Sequence, residues 1–176
     1  MLSLLMKRRS IRKYTEKPVD DEMIQRIIEA ALLAPSSKKS QPWEFIVVKE
    51  KQLMNQLAKS RDVGAAFMKE APLAIVVLAD PEKSNVWVED TSIAATLIQL
   101  EAESLGLGSC WVQVRNRYAN ESKTTEDYIR DLLHIPDQLH VACMIAIGHP
   151  AENKKPASLK ELPMSKVFVD KYGIGQ

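Results

Sequence analysis

Apolar residues recur along this chain with two different periods, and the switches between them mark out its elements. After Pro18, the residues Met23, Ile24, Ile27, Ile28, Ala31 and Leu32 fall three or four apart. That is the stripe of an amphipathic helix, with Asp20 or Asp21 as its N-cap and Pro35 to end it. A shorter helix is predicted over residues 3–9. Residues 43–48 read as a strand buried on at least one face, and residues 73–79, apolar at every position, as a central strand. Residues 141–147 repeat that pattern and stop at Gly148. Two short helices are predicted over residues 50–60 and 63–70, a brief strand over 109–112 and a helix over 125–134. The longest helical pattern covers residues 86–105. Ile93, Ala94, Leu97, Ile98, Leu100 and Ala102 make it apolar over much of its circumference, and Gly106 takes the C-cap position. Such a helix belongs in a buried spine or an oligomer interface.

Strands and helices interleave irregularly, which favours an α+β fold over a doubly wound parallel sheet. The character changes at Pro150. Beyond it Lys, Pro and polar residues dominate, and only residues 166–169 keep strand character. The expected division is a domain over 1–150 and an extension over 151–176 that packs on the domain or on a partner subunit.

Composition sets bounds on function. At 176 residues, 45% apolar and 27% charged, the chain is that of a globular domain. A formal net charge of +1 offers no whole-molecule attraction to nucleic acid or to an anionic membrane. The cations are nevertheless bunched: Lys7, Arg8, Arg9, Arg12, Lys13 and Lys17 stand against Glu16 alone. That pattern suits a local anion site. Residues 1–6 are too short for a signal-peptide core and their basic residues follow them, and no stretch approaches the roughly 20 apolar residues of a membrane span. Cys110 and Cys143 are far apart among apolar neighbours, so they read as buried free thiols in a reducing cytoplasm.

Several chemistries lack their residues. The three histidines show no metal-ligand spacing, and neither a nucleophile elbow nor a Walker A loop is present. Gly106-Leu107-Gly108 lacks the third glycine of a dinucleotide fingerprint and follows a helix instead of a strand, so it reads as a tight turn. Two runs stand out instead. Arg8-Arg9-Ser10-Ile11-Arg12 gathers guanidinium forks that match phosphate oxygens, and Arg8 and Arg12 share a face if the helix persists. The bland alternative is a solvated helix end. Pro35-Ser36-Ser37-Lys38-Lys39-Ser40-Gln41-Pro42-Trp43 is a polar loop held between a helix and a strand, where function often sits.

These two runs, followed by Gly106-Leu107-Gly108-Ser109-Cys110-Trp111 after a long helix, resemble the nitroreductase family of FMN-dependent oxidoreductases over residues 4–163. The resemblance implies a central mixed, mainly antiparallel sheet flanked by helices in three layers. It also implies FMN, reduction by NAD(P)H, and a homodimer with its flavin sites at the subunit interface. Arg8, Arg9 and Ser10 would contact the FMN phosphate and ribityl groups, and Arg12 the N1 and O2 edge of the ring. Pro35, Ser36 and Ser37, with Lys39 and Gln41, would reach the flavin held mainly by the other subunit. The backbone of Trp111, Val112 and Gln113 would pass the ring and offer an amide to N5. Gly148, His149 and Lys160 would complete the phosphate side. The family mechanism, hydride in from NAD(P)H and then out to a nitroaromatic, quinone or similar acceptor, needs no side-chain acid or base, so no catalytic dyad is expected. Lys39 stands where the family pattern has asparagine, and Lys160 where an arginine is common.

Two other readings stay open on the residues alone. One is a flavin-binding protein without turnover, for storage, sensing or delivery. The other is a polyanion contact at the basic N-terminus, which the near-neutral charge disfavours.

Overall fold

In the computed structural model, which describes residues 1–173, the uniformly apolar runs become the inner strands. The described strands are β1 (Trp43–Val48), β2 (Leu73–Ala79), β3 (Gly108–Gln113), β4 (Tyr118–Asn120), β5 (Lys123–Thr124) and β6 (His140–Gly148). Four form one sheet in the order β1-β2-β6-β3, every neighbouring pair antiparallel, while β4 and β5 make a separate hairpin. The helices are α1 (Leu2–Lys7), α2 (Asp21–Leu32), α3 (Lys51–Leu57), α4 (Trp87–Ser104) and α5 (Thr125–Leu133).

Both faces of the central strands are covered, which is why β2 and β6 lack polar alternation. Val76, Val112, Ala146 and Met144 point to one core with Met54, Leu57 and Ile129 from α3 and α5. Ile75, Val77, Cys143 and Ile145 point to the other, with Ile27 and Ala31 of α2 and Ala95, Ile98 and Ala102 of α4. Successive residues thus serve opposite cores, as the pleat of a strand requires. The result is a three-layer α+β fold.

α4 lies on the sheet through small residues, with Ala94, Ala95 and Ala102 fully buried and Ile93 left 40% exposed. Its end is a Schellman motif. Gly106, at φ +76, donates its N–H to the Glu103 carbonyl (3.0 Å), and Leu107 donates to Ala102 (2.9 Å). The Gly106-Leu107-Gly108 run is therefore a helix stop followed by a strand start. α5 begins with the Thr124 hydroxyl accepting the Asp127 N–H at 3.0 Å.

Three expectations change. The first helix ends at Lys7; Arg8 has ψ 117, and residues 8–13 run extended, so Arg8 and Arg12 share no helix face. The cause is tertiary, since the backbone groups that a helix would pair internally are bonded here to Ser109 and Glu152. The helix expected over 63–70 shrinks to a 3₁₀ turn, Ala66–Glu70, because Gly64 turns the chain at φ +93. Residues 166–169 form no strand. A 3₁₀ turn covers Met164–Lys166, and no described strand lies beside Val167, Phe168 and Val169, which are exposed. The β4–β5 hairpin has no apolar alternation and was not foreseen. No helix among the described residues is long and apolar enough to cross a membrane.

Candidate active site

Residues 9–15 form a ribbon clamped on both sides. On one side Ser10 bridges Ser109 in parallel, and the Ile11 N–H donates to the Ser109 carbonyl at 3.0 Å. On the other, residues 149–155 run antiparallel: Thr15 donates to His149 (2.9 Å), Ala151 donates to Lys13 (2.9 Å), and Tyr14 bridges Pro150. The Tyr14 hydroxyl, buried, donates to the Ile11 carbonyl at 2.5 Å, and burial raises its pKa.

Two glycines allow this close approach. A Cβ on Gly108 would lie 2.8 Å from Ile11 Cβ, and one on Gly148 would lie 3.0 Å from Tyr14 Cδ1 of the ribbon and 2.5 Å from Pro72 Cδ before β2. Only a residue without a side chain lets the ribbon press against the sheet at these points.

The clamp brings cations together. Glu152 organises it: one carboxylate oxygen accepts the backbone N–H groups of Arg12 (2.5 Å) and Lys13 (3.3 Å) and pairs with Lys154 at 3.4 Å. The Arg12 amide, first of these influences, holds the Glu152 carboxyl below its usual range. Lys154 Nζ reaches the Ser10 carbonyl at 2.5 Å, and the Arg9 guanidinium donates to the Lys155 carbonyl. Arg12 lies over the Phe67 ring, 5.9 Å from its centroid. Among the described residues none of Arg8, Arg9 and Arg12 has a carboxylate partner. Nearby Glu103 is raised by burial, with Arg8 and Lys7 opposing the shift.

A cavity of about 400 Å³ opens beside this cluster, lined by the cations Arg12, Lys13, Lys69 and Lys154, the carboxylates Glu70 and Glu152, and Ala66 and Phe67. A smaller one of about 130 Å³ lies between Lys7, Arg9 and Lys154, with Glu103 and Glu152 also on its wall. Cations outnumber carboxylates on the rim of the larger cavity, and an anion in the void relieves the excess positive charge.

β3 is an edge strand. Because the Ser109 carbonyl faces outward to Ile11, the period of two turns the amides of Trp111 and Gln113 toward the same open edge. Val112 is buried in one core, while the Trp111 indole donates to Gln113 Oε1 at 2.9 Å. His149 Nε2 is buried and has no hydrogen-bond partner among the described residues. Lys160 sits exposed in the 3₁₀ turn Leu159–Glu161, five residues past the lysine pair that meets the ribbon. Lys154, Lys155, Glu152 and Phe67 were not singled out as site residues from sequence. The twin lysine that begins six residues after the last strand was the available signal.

The Pro35–Gln41 loop is elsewhere. It precedes Trp43, which pairs with Ala79 beside His140, whereas the ribbon lies at Ser109, which pairs with Ile147. Seven residues along β6 and three strand spacings separate the two, roughly 25–30 Å at about 3.4 Å per residue and about 4.8 Å per strand. Its backbone is unusual: Lys38, Lys39 and Gln41 have φ of 52, 56 and 45. No single copy of this chain brings the loop to the ribbon.

The chain matches the Nitroreductase family over residues 5–62 and 54–149. A protein of Archaeoglobus fulgidus named as an NADH dehydrogenase/NAD(P)H nitroreductase is 38% identical over 157 residues, covering 87% of each chain. The solved structure of an FMN-dependent nitroreductase from Clostridium difficile superposes with a TM-score of 0.96 at 48% identity, covering 98% of this chain and 100% of that one. An NADPH:FMN oxidoreductase from Vibrio harveyi, solved with NAD+, shares 26% identity at a TM-score of 0.82, covering 97% of this chain and 77% of its own.

Proposed function

Because the chain belongs to the nitroreductase family, we propose that it passes hydride from NAD(P)H through FMN to a nitroaromatic, quinone or similar small conjugated acceptor, in two half-reactions at one site. FMN is its cofactor, and its enzyme class is that of the FMN-dependent NAD(P)H oxidoreductases. FMN supplies the hydride chemistry that protein side chains perform poorly.

The residues present fit that group. A phosphate monoester needs cations without carboxylate partners, and Arg8, Arg9 and Arg12 have none. An isoalloxazine edge needs donors, and the open rim of β3 presents the Trp111 and Gln113 amides. The buried, partnerless His149 Nε2 and the cavity of about 400 Å³ add a polar contact and room.

Arg8, Arg9 and Ser10 hold the phosphate and ribityl end, joined by Lys154; Gly148, His149 and Lys160 serve the same side. Arg12, propped on Phe67, sets a fixed positive charge at the pyrimidine edge of the ring, where preorganised charge favours negative charge on the ligand. Trp111, Val112 and Gln113 orient the ring by backbone contact. The loop residues Pro35, Ser36, Ser37, Lys39 and Gln41 serve the site of a second copy, a reading supported by their distance from the ribbon of their own chain. The protein is on this reading a homodimer, with residues 151–176 as an extension that packs on the 1–150 domain, as Ala151 and Ala157 do through Lys13 and Met6, or on the partner. Its two free, buried thiols suit the cytoplasm.

The observation that carries this reading is the ribbon of unpaired arginines beside an open strand edge. Fluorescence titration tests it: FMN is expected to bind at one per subunit, and anaerobic mixing with NADH or NADPH is expected to bleach the bound flavin. Protein that takes up no FMN overturns the reading, and protein that binds FMN yet stays yellow is a carrier, not an oxidoreductase.

A further inference from the structure

Asp90 is a carboxylate in an unusual place. It lies in the first turn of α4, is 3% exposed, and has no cationic partner among the described residues. Burying an unpaired charge is costly unless hydrogen bonds replace its water. Two do so: Oδ1 accepts the Ser37 N–H at 2.9 Å, and Oδ2 accepts the Ser84 hydroxyl at 2.8 Å. Ser84, itself 7% exposed, is held in turn by the Val86 N–H at 3.3 Å. The positive end of the helix dipole favours the same charge.

What this carboxylate holds is the densest run of left-handed backbone among the described residues. Three non-glycine residues within four positions, Lys38, Lys39 and Gln41, are left-handed. Inside the loop, Ser36 Oγ accepts the Gln41 N–H at 3.0 Å and the Ser37 carbonyl accepts the Ser40 N–H at 2.9 Å. Asp90 supplies a bond from outside it. Strain of this kind persists when the surroundings over-determine the shape, and it gathers where a shape is used.

We propose that Asp90 is a positioning residue acting across the subunit boundary: its carboxylate sets the Ser36–Gln41 turn in the shape that completes the partner's flavin site. The inference rests on the reading above that this loop serves a second copy.

Complementation in mixed dimers tests it. Arg8→Ala impairs the ribbon, and Asp90→Ala impairs the loop, so each homodimer carries two defective sites. Activity of each is expected to fall about tenfold or more. In a purified heterodimer, one site takes its ribbon from the Asp90→Ala chain and its loop from the Arg8→Ala chain, and is whole. Recovery to about half of the wild-type rate, with one tight FMN per dimer, is the expected result. If Asp90 acts only within its own chain, neither site is whole, activity stays at the parental level, and the proposal fails.

A control separates this from failure of the shared site. Gln41→Pro breaks the turn directly, because proline cannot adopt φ 45. If Arg8→Ala with Gln41→Pro recovers and Arg8→Ala with Asp90→Ala does not, the shared site stands and Asp90 loses its role. If neither pair recovers, the shared-site reading falls and takes this inference with it. Asp90→Asn keeps an acceptor for the Ser37 N–H, so it is expected to restore the wild-type visible circular dichroism of the flavin and the wild-type KM. Should Asp90→Ala not fold, Ser84→Ala takes its place in the heterodimer, with a smaller loss and the same recovery. An Asp90→Ala homodimer with wild-type KM and flavin dichroism overturns the proposal.

Discussion

The arginine ribbon and the Pro35–Gln41 loop are both polar, both outside the sheet and both flanked by core elements, yet their backbones are held in opposite ways. The ribbon lies in extended, unstrained conformation between β3 and residues 149–155, bonded along both edges. The loop sits at the opposite corner, holds three left-handed residues and draws a stabilising bond from Asp90. The ribbon is thus a cradle, rigid in its own chain before any ligand arrives. The loop is an element on display, shaped at a cost that its own chain's cation site does not recover.

The strongest way to break the contrast is to lift the ribbon off the sheet. Gly108→Ala puts a methyl 2.8 Å from Ile11, and overpacking of this kind costs about 1–3 kcal/mol. Thermal melts are expected to show that loss, together with weaker FMN binding, while loop geometry stays intact.

Arg12→Ala sharpens the picture inside the ribbon. FMN is expected to remain bound, because the proposed phosphate contacts Arg8, Arg9 and Lys154 are unchanged. Loss of a charge-assisted bond of about 1.5–3 kcal/mol lowers the two-electron potential by roughly 30–65 mV. A redox titration matching the wild type places Arg12 away from the ring.

On the loop side, Lys39→Asn is expected to raise stability by up to about 1 kcal/mol, since asparagine tolerates φ 56 better than lysine. Denaturant melts without that gain mean that the lysine is held by contacts worth as much as its strain.

The smallest effect is that of acid on the ribbon. The folded-state pKa of Glu152 lies below its unfolded value of about 4.3, so its contribution is fully present above that value. It is lost as pH falls through the lower folded value, when protonation weakens the bonds from Arg12 and Lys13. Amide exchange at these two residues is expected to accelerate there, before the core strands open. An Arg12 amide whose exchange is insensitive to Glu152→Gln removes this role.

Much of the fold was legible because apolar spacing is a local property. Residues 73–79 and 141–147 read as strands from their unbroken apolar runs, and the stripe from Met23 to Leu32 as an amphipathic helix. The arginine run and the serine-rich loop were legible as chemistry because residue type alone marks them. The β4–β5 hairpin was not, since Tyr118–Asn120 and Lys123–Thr124 lack alternation and are set by contacts with Asp62 and α5.

The sequence by itself determined the α+β class, the identity of the inner strands and the helix stop at Gly106. Each follows from period, side-chain chemistry or a glycine's allowed φ, which act within a few residues. Only the tertiary structure decided that residues 8–13 are a ribbon and not a helix, that Glu152 and Lys154 join them, and that Asp90 holds the loop. Those outcomes depend on hydrogen bonds between groups 50 to 140 positions apart. No local propensity encodes such pairings; they exist once the packed sheet has brought the segments together.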